Sequence, residues 1–127
     1  MTTNVHPSRV LLVEDEFLLN LTLAEALEEH GFEVQTVCNA KDALEHLTCG
    51  APCDVLLTDI NLAGSIDGTE LAELARKLRP NLPVIYASGS VGKLERLASV
   101  PGTVFVAKPY NPDKLCLMIE RIMATSH

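Results

Sequence analysis

Three acidic side chains and one lysine follow short apolar runs in this sequence, at positions where buried strands would end. Glu14 and Asp15 follow Leu-Leu-Val, Asp59 follows Val-Leu-Leu-Thr, and Lys108 follows Val-Phe-Val-Ala. Adjacent carboxylates at a strand end are typical of a site for a hard divalent cation, because Mg²⁺ and Ca²⁺ prefer oxygen ligands. A lysine after a buried strand usually has an anionic partner. The four residues therefore predict a cation site with a positive charge beside it.

The elements that position these residues alternate along the chain. Short apolar runs rich in β-branched residues predict strands, and segments with apolar residues three and four apart predict helices. The predicted strands cover 9–14, 32–37, 53–58, 82–87 and 103–107. The predicted helices cover 17–29, 40–48, 68–79, 91–99 and a last segment that begins after Pro112.

Four of the predicted helices have a clear apolar face, which we expect to point inward. Asn39 and Asp67 are the expected N-caps of the second and third helices. Cys116 and Leu117 lie beside the apolar face of the last helix and are expected to be exposed. The expected inward residues are Phe17, Leu21, Ala24 and Leu27; Ala40, Ala43, Leu44 and Leu47; Leu71, Leu74, Ala75 and Leu78; and Leu115, Met118, Ile119 and Ile122.

Five strands separated by helices, in units of about 20 to 25 residues, predict right-handed crossovers and a parallel sheet of the α/β class. Ligands of such folds bind at the carboxyl ends of the strands, where the acids and the lysine are predicted to lie. The 127 residues fit one domain, with a core of about 8–125.

Composition excludes several classes of protein. A net charge of −7 without a Lys/Arg cluster argues against nucleic-acid binding. No apolar run is long enough to span a membrane, and the first residues lack a signal peptide, so a cytoplasmic protein is expected. The four cysteines are scattered and are predicted to be reduced thiols. His46 lies near Cys49 and Cys53, but this set is too small for a zinc site.

The residues that could do chemistry also occur in an order that is known from a protein family. The pattern of these residues resembles that of the receiver domain of two-component response regulators. It has acids after the first and third strands, a hydroxyl residue after the fourth strand and Lys-Pro after the fifth. The residues that carry it are Glu14, Asp15, Asp59, Ser88, Lys108 and Pro109. The resemblance covers essentially the whole chain, and it implies a flavodoxin-like (βα)5 doubly wound parallel sheet with strand order 2-1-3-4-5.

The resemblance implies that Asp59 is a phosphoacceptor and that Mg²⁺ is the cofactor. Glu14, Asp15 and Asp59 would bind the ion through their carboxylates, and Asn61 through its backbone carbonyl. Ionised carboxylates can become acyl phosphates when charge on the transferred group is neutralised. This chain departs from the family at Ala63, where many members have proline, and its loop after Asp59 is one residue longer.

Two further roles follow from the resemblance. Lys108 would pair with one phosphoryl oxygen, and the Ser88 hydroxyl would donate a hydrogen bond to another. Ser88 and Phe105 would form the switch, in which the hydroxyl moves toward the phosphoryl group and the aromatic ring turns inward. The simpler interpretations are a turn residue for Ser88, core packing for Phe105 and an ordinary strand-end cation for Lys108.

The implied partners are a histidine kinase or a histidine phosphotransfer protein as donor, and an unidentified downstream protein. Phosphorylation would change the surface of the fourth helix, fifth strand and fifth helix, and a homodimer could form through that face. No direct role with nucleic acid or membrane is expected, nor any activity as an enzyme.

Three alternatives remain open. A Mg²⁺-dependent phosphohydrolase with an aspartyl-phosphate intermediate usually needs a second acid two residues after the nucleophile, where this chain has Asn61. A flavodoxin-like cofactor binder needs a Gly-rich loop after the first strand, where this chain has three acids at 14–16. A receiver-like interaction domain would work without phosphorylation.

Overall fold

The computed structural model describes residues 8–60, 62, 64–88, 102–107 and 111–124. Within these residues, all strand pairs are parallel and the sheet order is β2-β1-β3-β4-β5, which confirms the predicted fold class. The predicted helix over 91–99 lies outside the described residues. The strands are β1 (Arg9–Val13), β2 (Glu33–Val37), β3 (Val55–Asp59), β4 (Val84–Ser88) and β5 (Thr103–Ala107). The described helices are α1 (Phe17–Glu29), α2 (Ala40–Thr48), α3 (Gly68–Leu78) and α4 (Pro112–Ala124).

Helices cover both faces of the sheet, and each face has its own apolar core. Successive side chains of a strand point to opposite faces, so the central strands supply residues to both cores. Leu11 of β1 packs with α2 and α3, whereas Leu12 packs with α1 and α4. No described helix is long and apolar enough to cross a membrane.

The two predicted N-caps are confirmed. Asn39 Oδ1 accepts a hydrogen bond of 2.8 Å from the backbone N–H of Asp42. Asp67 Oδ1 accepts bonds of 3.0 and 2.9 Å from the backbone N–H groups of Thr69 and Glu70. Each cap satisfies amides that the helix itself leaves unpaired, and this fixes where α2 and α3 begin.

The predicted inward face of α1 is confirmed for Leu27, and Ala24 packs against the core, but the prediction is wrong for Phe17 and Leu21. Phe17 and Leu21 are 68% and 44% exposed, and the buried residues are Asn20, Leu23 and Leu27. Apolar residues occur almost all round this helix, so the spacing alone allowed two faces. The correct face contains Asn20, and a polar residue is not expected on an inward face.

Two further burial predictions are wrong. Leu78 is 48% exposed because it is the last residue of α3, beyond the part of the helix that packs on the core. Cys116 is buried at 1% exposure, since α4 presents a broad face that also contains Leu115 and Ile119. Leu117 is 53% exposed, as predicted.

Strand boundaries differ from the prediction by at most two residues. The first strand ends at Val13 rather than at position 14, and the second begins at Glu33 rather than at 32. The third and fourth strands begin at Val55 and Val84, two residues later than expected, and each extends one residue further.

The cysteines are free thiols, as predicted: Cys38 and Cys49 are exposed, Cys53 is partly buried and Cys116 is buried. Burial raises the pKa of Cys53 to about 11 from the ordinary value of 9.0. The same cause raises the pKa of Cys116. Among the described residues, no cysteine belongs to a group of three metal ligands.

The raised pKa of Cys53 predicts a loss of stability at alkaline pH. At pH 8 and below, the thiol is mostly protonated in both states. Between 9.0 and about 11 the unfolded chain releases this proton first, so the free energy of unfolding falls as pH rises. The Cys53 contribution should be about 2 kcal/mol across this window. Urea titrations at pH 8 and pH 10.5 measure it.

The Cys53→Ala variant should lose less stability over this range than the wild type. Cys49→Ala, which changes an exposed thiol, is the control and should follow the wild type. Equal losses in all three proteins would contradict the assignment.

Candidate functional site

Three carboxylates converge at the carboxyl edge of the sheet. β1 and β3 are neighbours, and the pairing of Val13 with Thr58 brings the residues after them to the same edge. Each of Glu14, Asp15 and Asp59 offers a carboxylate oxygen, and these atoms lie within 4.8 Å of one another. Of the predicted site residues, the described part of the structure therefore brings these three together as a candidate cation site.

The three acids differ in exposure. Glu14 is 3% exposed, Asp15 is exposed and Asp59 is half-buried at the last position of β3. The Oε2 atom of Glu14 accepts a hydrogen bond of 3.1 Å from the backbone N–H of Glu16. One carboxylate is thus held within the fold, while the other two remain accessible from solvent.

This donor set suits a hard divalent cation. Oxygen ligands alone favour Mg²⁺, Ca²⁺ or Mn²⁺ over zinc or copper, which prefer nitrogen and sulfur. Carboxylates within 4.8 Å of one another repel, and a bound cation would offset that repulsion. The observed residues therefore fit the Mg²⁺ that the resemblance implies.

The start of α3 packs directly against the backbone of Asp59. The N–H of Gly68 donates a hydrogen bond of 2.8 Å to the carbonyl of Ile60. A Cβ atom at position 68 would lie only 1.9 Å from the Asp59 carbonyl oxygen. Only glycine permits this approach, so α3 and the end of β3 fix each other's position.

The loop between β3 and α3 is anchored by apolar side chains. Ile60 and Leu62 are 2% and 8% exposed and belong to the core on the α2 and α3 side. Gly64 has a φ of 109°, a conformation that favours glycine. Asn61 lies outside the described residues, so its role as a ligand stays a prediction.

The predicted switch residues lie on β4 and β5. β4 ends at Ser88, whose backbone pairs with Ala107, and the side chain of Ser88 is outside the described part. Phe105 is half-buried and stacks on Tyr86, with ring centroids 5.4 Å apart and planes at 19°. Lys108 follows β5 outside the described residues, and its contacts stay predictions.

Sequence reasoning missed Asn20, which lies beneath the acidic segment. It is 7% exposed, and its Nδ2 donates to the carbonyls of Glu14 at 3.0 Å and Val37 at 3.2 Å. A signal was present, because Asn20, Leu23 and Leu27 have the spacing of one helix face. A polar residue on such a face indicates a buried polar partner.

Comparison with known proteins places these features in one family. The family model of the response regulator receiver domain matches residues 10–120. The nitrogen assimilation regulatory protein NtrX of Azorhizobium caulinodans is 31% identical over 119 residues, which cover 91% of this chain and 26% of that protein. The transcriptional regulatory protein TcrA of Mycobacterium tuberculosis is 34% identical over 109 residues, which cover 84% of this chain and 42% of TcrA.

Solved structures agree with this assignment. A response regulator receiver protein from Sinorhizobium medicae superposes with a TM-score of 0.88 at 30% identity, covering 95% of this chain and 98% of that one. NtrX from Brucella abortus gives a TM-score of 0.83 at 32% identity, covering 94% of this chain and 28% of the other. The chain spans about a quarter to a half of the length of the curated relatives it matches.

Proposed function

Because this chain belongs to the response regulator receiver domain family, we propose that Asp59 accepts a phosphoryl group from a histidine kinase or a histidine phosphotransfer protein. The observation that supports this most strongly is the convergence of three carboxylates within 4.8 Å at one sheet edge. Asp59 is only partly buried, which supports its approach by a donor. We also propose that residues 1–127 form a single domain with a core of about 8–125.

In the proposed reaction, a carboxylate oxygen of Asp59 attacks the phosphorus atom of a phosphohistidine. The new O–P bond forms as the P–N bond breaks, and the electron pair returns to the imidazole of the donor. Glu14, Asp15, Asp59 and the backbone carbonyl of Asn61 would hold Mg²⁺. When bound, the ion supplies positive charge that offsets the negative charge of the phosphoryl group.

Lys108 and Ser88 are proposed to contact the phosphoryl group. Support comes from strand register, because Asp59 pairs with Ala87 and Ser88 pairs with Ala107. Position 88 and the end of β5 therefore belong to the same edge as Asp59. The proposed switch couples Ser88 to Phe105, whose ring packs against Tyr86.

We propose that this domain acts as a switch and not as a hydrolase that turns over. The position two residues after Asp59 is Asn61, and an amide cannot act as a general acid. Output would come through a protein partner, a homodimer or transfer of the phosphoryl group to a histidine. The fifth strand and the helices beside it would form the changing surface.

The donor is proposed to dock near the start of α1. Phe17 and Leu18 are 68% and 72% exposed, two and three residues after Asp15. Adjacent exposed apolar side chains next to an accessible acid suit a transient protein contact. We also propose that the protein is cytoplasmic, where such donors would reach the domain.

The test is intact-mass measurement after incubation with acetyl phosphate, with and without Mg²⁺. The wild type should gain a single phosphoryl adduct that depends on Mg²⁺. Asp59→Asn should gain none, because the amide nitrogen and oxygen are poor nucleophiles. Asp42→Asn, at an exposed position in the first turn of α2, is the matched control and should be labelled like the wild type.

An adduct that persists in Asp59→Asn would overturn the choice of acceptor. A wild type that binds Mg²⁺ without any adduct would instead favour an interaction domain that works without phosphorylation. The two results lead to different searches, one for another acceptor and one for partners of the unmodified protein.

A further inference from the structure

The buried amide of Asn20 has a position that core packing alone does not explain. It lies on the inward face of α1, above Leu23 and Leu27, where an apolar side chain would fill the space. Burying an amide costs free energy unless its hydrogen bonds are made inside the protein. Both amide hydrogens of Asn20 have acceptors, the carbonyls of Glu14 and Val37.

These two carbonyls belong to the acidic segment and to the strand that supports it. The Glu14 carbonyl is part of the peptide group that joins Glu14 to Asp15. The peptide between Val13 and Glu14 is held as well. The Glu14 N–H donates a hydrogen bond of 3.2 Å to the Val37 carbonyl, which also accepts a bond from Asn20. Glu14 is thus fixed on both sides, and Asn20 supplies the bond on the Asp15 side.

The plane of a peptide group sets the direction of the side chains on either side of it. Rotation of the Glu14–Asp15 peptide would move both carboxylates away from Asp59, with which they share a 4.8 Å cluster. Asn20 opposes this rotation because its amide is itself anchored, by burial in α1 and by its second bond to β2. Both of these bonds go to backbone carbonyls and not to the carboxylates of the cluster.

We infer that Asn20 is a positioning residue for the metal ligands, which sets Mg²⁺ affinity through the Glu14–Asp15 peptide. This inference rests on the proposed function of the acidic site. Outer residues that orient metal ligands typically change metal affinity by about 10- to 100-fold when they are substituted. Loss of the Asn20 amide should therefore weaken Mg²⁺ binding at least tenfold.

The experiment measures Mg²⁺ dissociation constants by isothermal titration calorimetry on the folded wild type, Asn20→Leu and Asn20→Ala. Leucine keeps the bulk of asparagine without its donors, and alanine removes both. The control is Leu23→Val, one turn further along the same buried face, which loosens packing without touching the acidic segment. Urea unfolding of each protein gives its stability separately.

We expect both Asn20 variants to bind Mg²⁺ at least tenfold more weakly, while Leu23→Val binds like the wild type. In the acetyl phosphate reaction, the Mg²⁺ concentration for half-maximal labelling should rise in the Asn20 variants. Their labelling rate at saturating Mg²⁺ should recover to near the wild-type rate. A residue that only stabilised the fold would change the unfolding curve and leave the Mg²⁺ requirement unaltered.

The inference is overturned if folded Asn20 variants bind Mg²⁺ like the wild type, even though the wild type is labelled on Asp59. It is also overturned if both variants are unfolded at low temperature while Leu23→Val is folded, because Asn20 would then be a folding residue. If the wild type itself neither binds Mg²⁺ nor takes up phosphate, the proposed function fails first.

Discussion

Replacing Gly68 with alanine should destabilise the protein by about 3 kcal/mol and sharply reduce phosphoryl uptake at Asp59. The added Cβ would lie 1.9 Å from the Asp59 carbonyl oxygen and 2.8 Å from the Ile60 Cα. Both contacts are with backbone, so no side chain can rotate to relieve them. The end of β3 and the start of α3 must separate, and the Asp59 carboxylate moves with its backbone.

Gly64→Ala is the matched control for the Gly68 substitution. Gly64 lies in the same loop with a φ of 109°, and among the described residues no atom lies within 4 Å of its added Cβ. Its cost should be limited to the strain of a left-handed alanine, about 1 kcal/mol. Urea unfolding and intact-mass labelling of both variants measure the difference. Equal losses of stability would contradict the prediction, because the clash at position 68 would then be relieved at little cost.

The second large effect is the stabilisation expected from Mg²⁺ binding at the proposed site. A ligand that binds only the folded state stabilises it by about 2.7 kcal/mol at one hundred times its dissociation constant. Asp15→Asn removes one carboxylate from the cluster of three while keeping the shape of the side chain. If Mg²⁺ then binds one hundredfold more weakly, the same Mg²⁺ concentration contributes only about 0.4 kcal/mol.

Thermal unfolding in chelator and in Mg²⁺ measures this effect. The wild type should show a clear rise in melting temperature with Mg²⁺, and Asp15→Asn should lose most of it. Glu16→Gln is the control, since Glu16 is the exposed neighbour whose side chain neither belongs to the cluster nor caps α1. A loss of the Mg²⁺ response in Glu16→Gln as well would point to general surface charge instead of a defined site.

The edge at which the acids meet could be predicted because it depends on chain direction alone. Apolar runs that each end in an acid must bring those acids to one edge once the strands are parallel. Asp59 and the Glu14–Asp15 pair follow this rule, and their carboxylates do cluster. The strand order was available only from the family resemblance, since an alternating pattern does not say which strands are neighbours.

Side-chain direction on α1 could not be read from spacing. Leucines and alanines surround most of this helix, so its true inward side was set by tertiary contacts with β1 and β2. The burial of Asn20 depends on hydrogen bonds to the Glu14 and Val37 carbonyls, and the sequence does not show these contacts. Gly68 is a similar case, because the need for glycine comes from Asp59, nine positions earlier in the chain.

Cys116 illustrates the same limit at the other end of the chain. A thiol next to an apolar helix face can point either way, and here the width of the contact between α4 and the sheet decides it. The observed boundaries of β3 and β4 also differ from the predicted ones. Hydrogen bonds to neighbouring strands determine where a strand begins and ends, and local composition does not show them.

The division of β1 and β3 between two cores has a consequence for how such a domain can diversify. Leu11 and Leu56 belong to one core, and Leu12 and Leu57 belong to the other, so both helix layers fix the same two strands. Outward-facing positions on the helices make no contribution to either core. Evolution can therefore alter the recognition surface at these positions repeatedly while the strands continue to present the same acids.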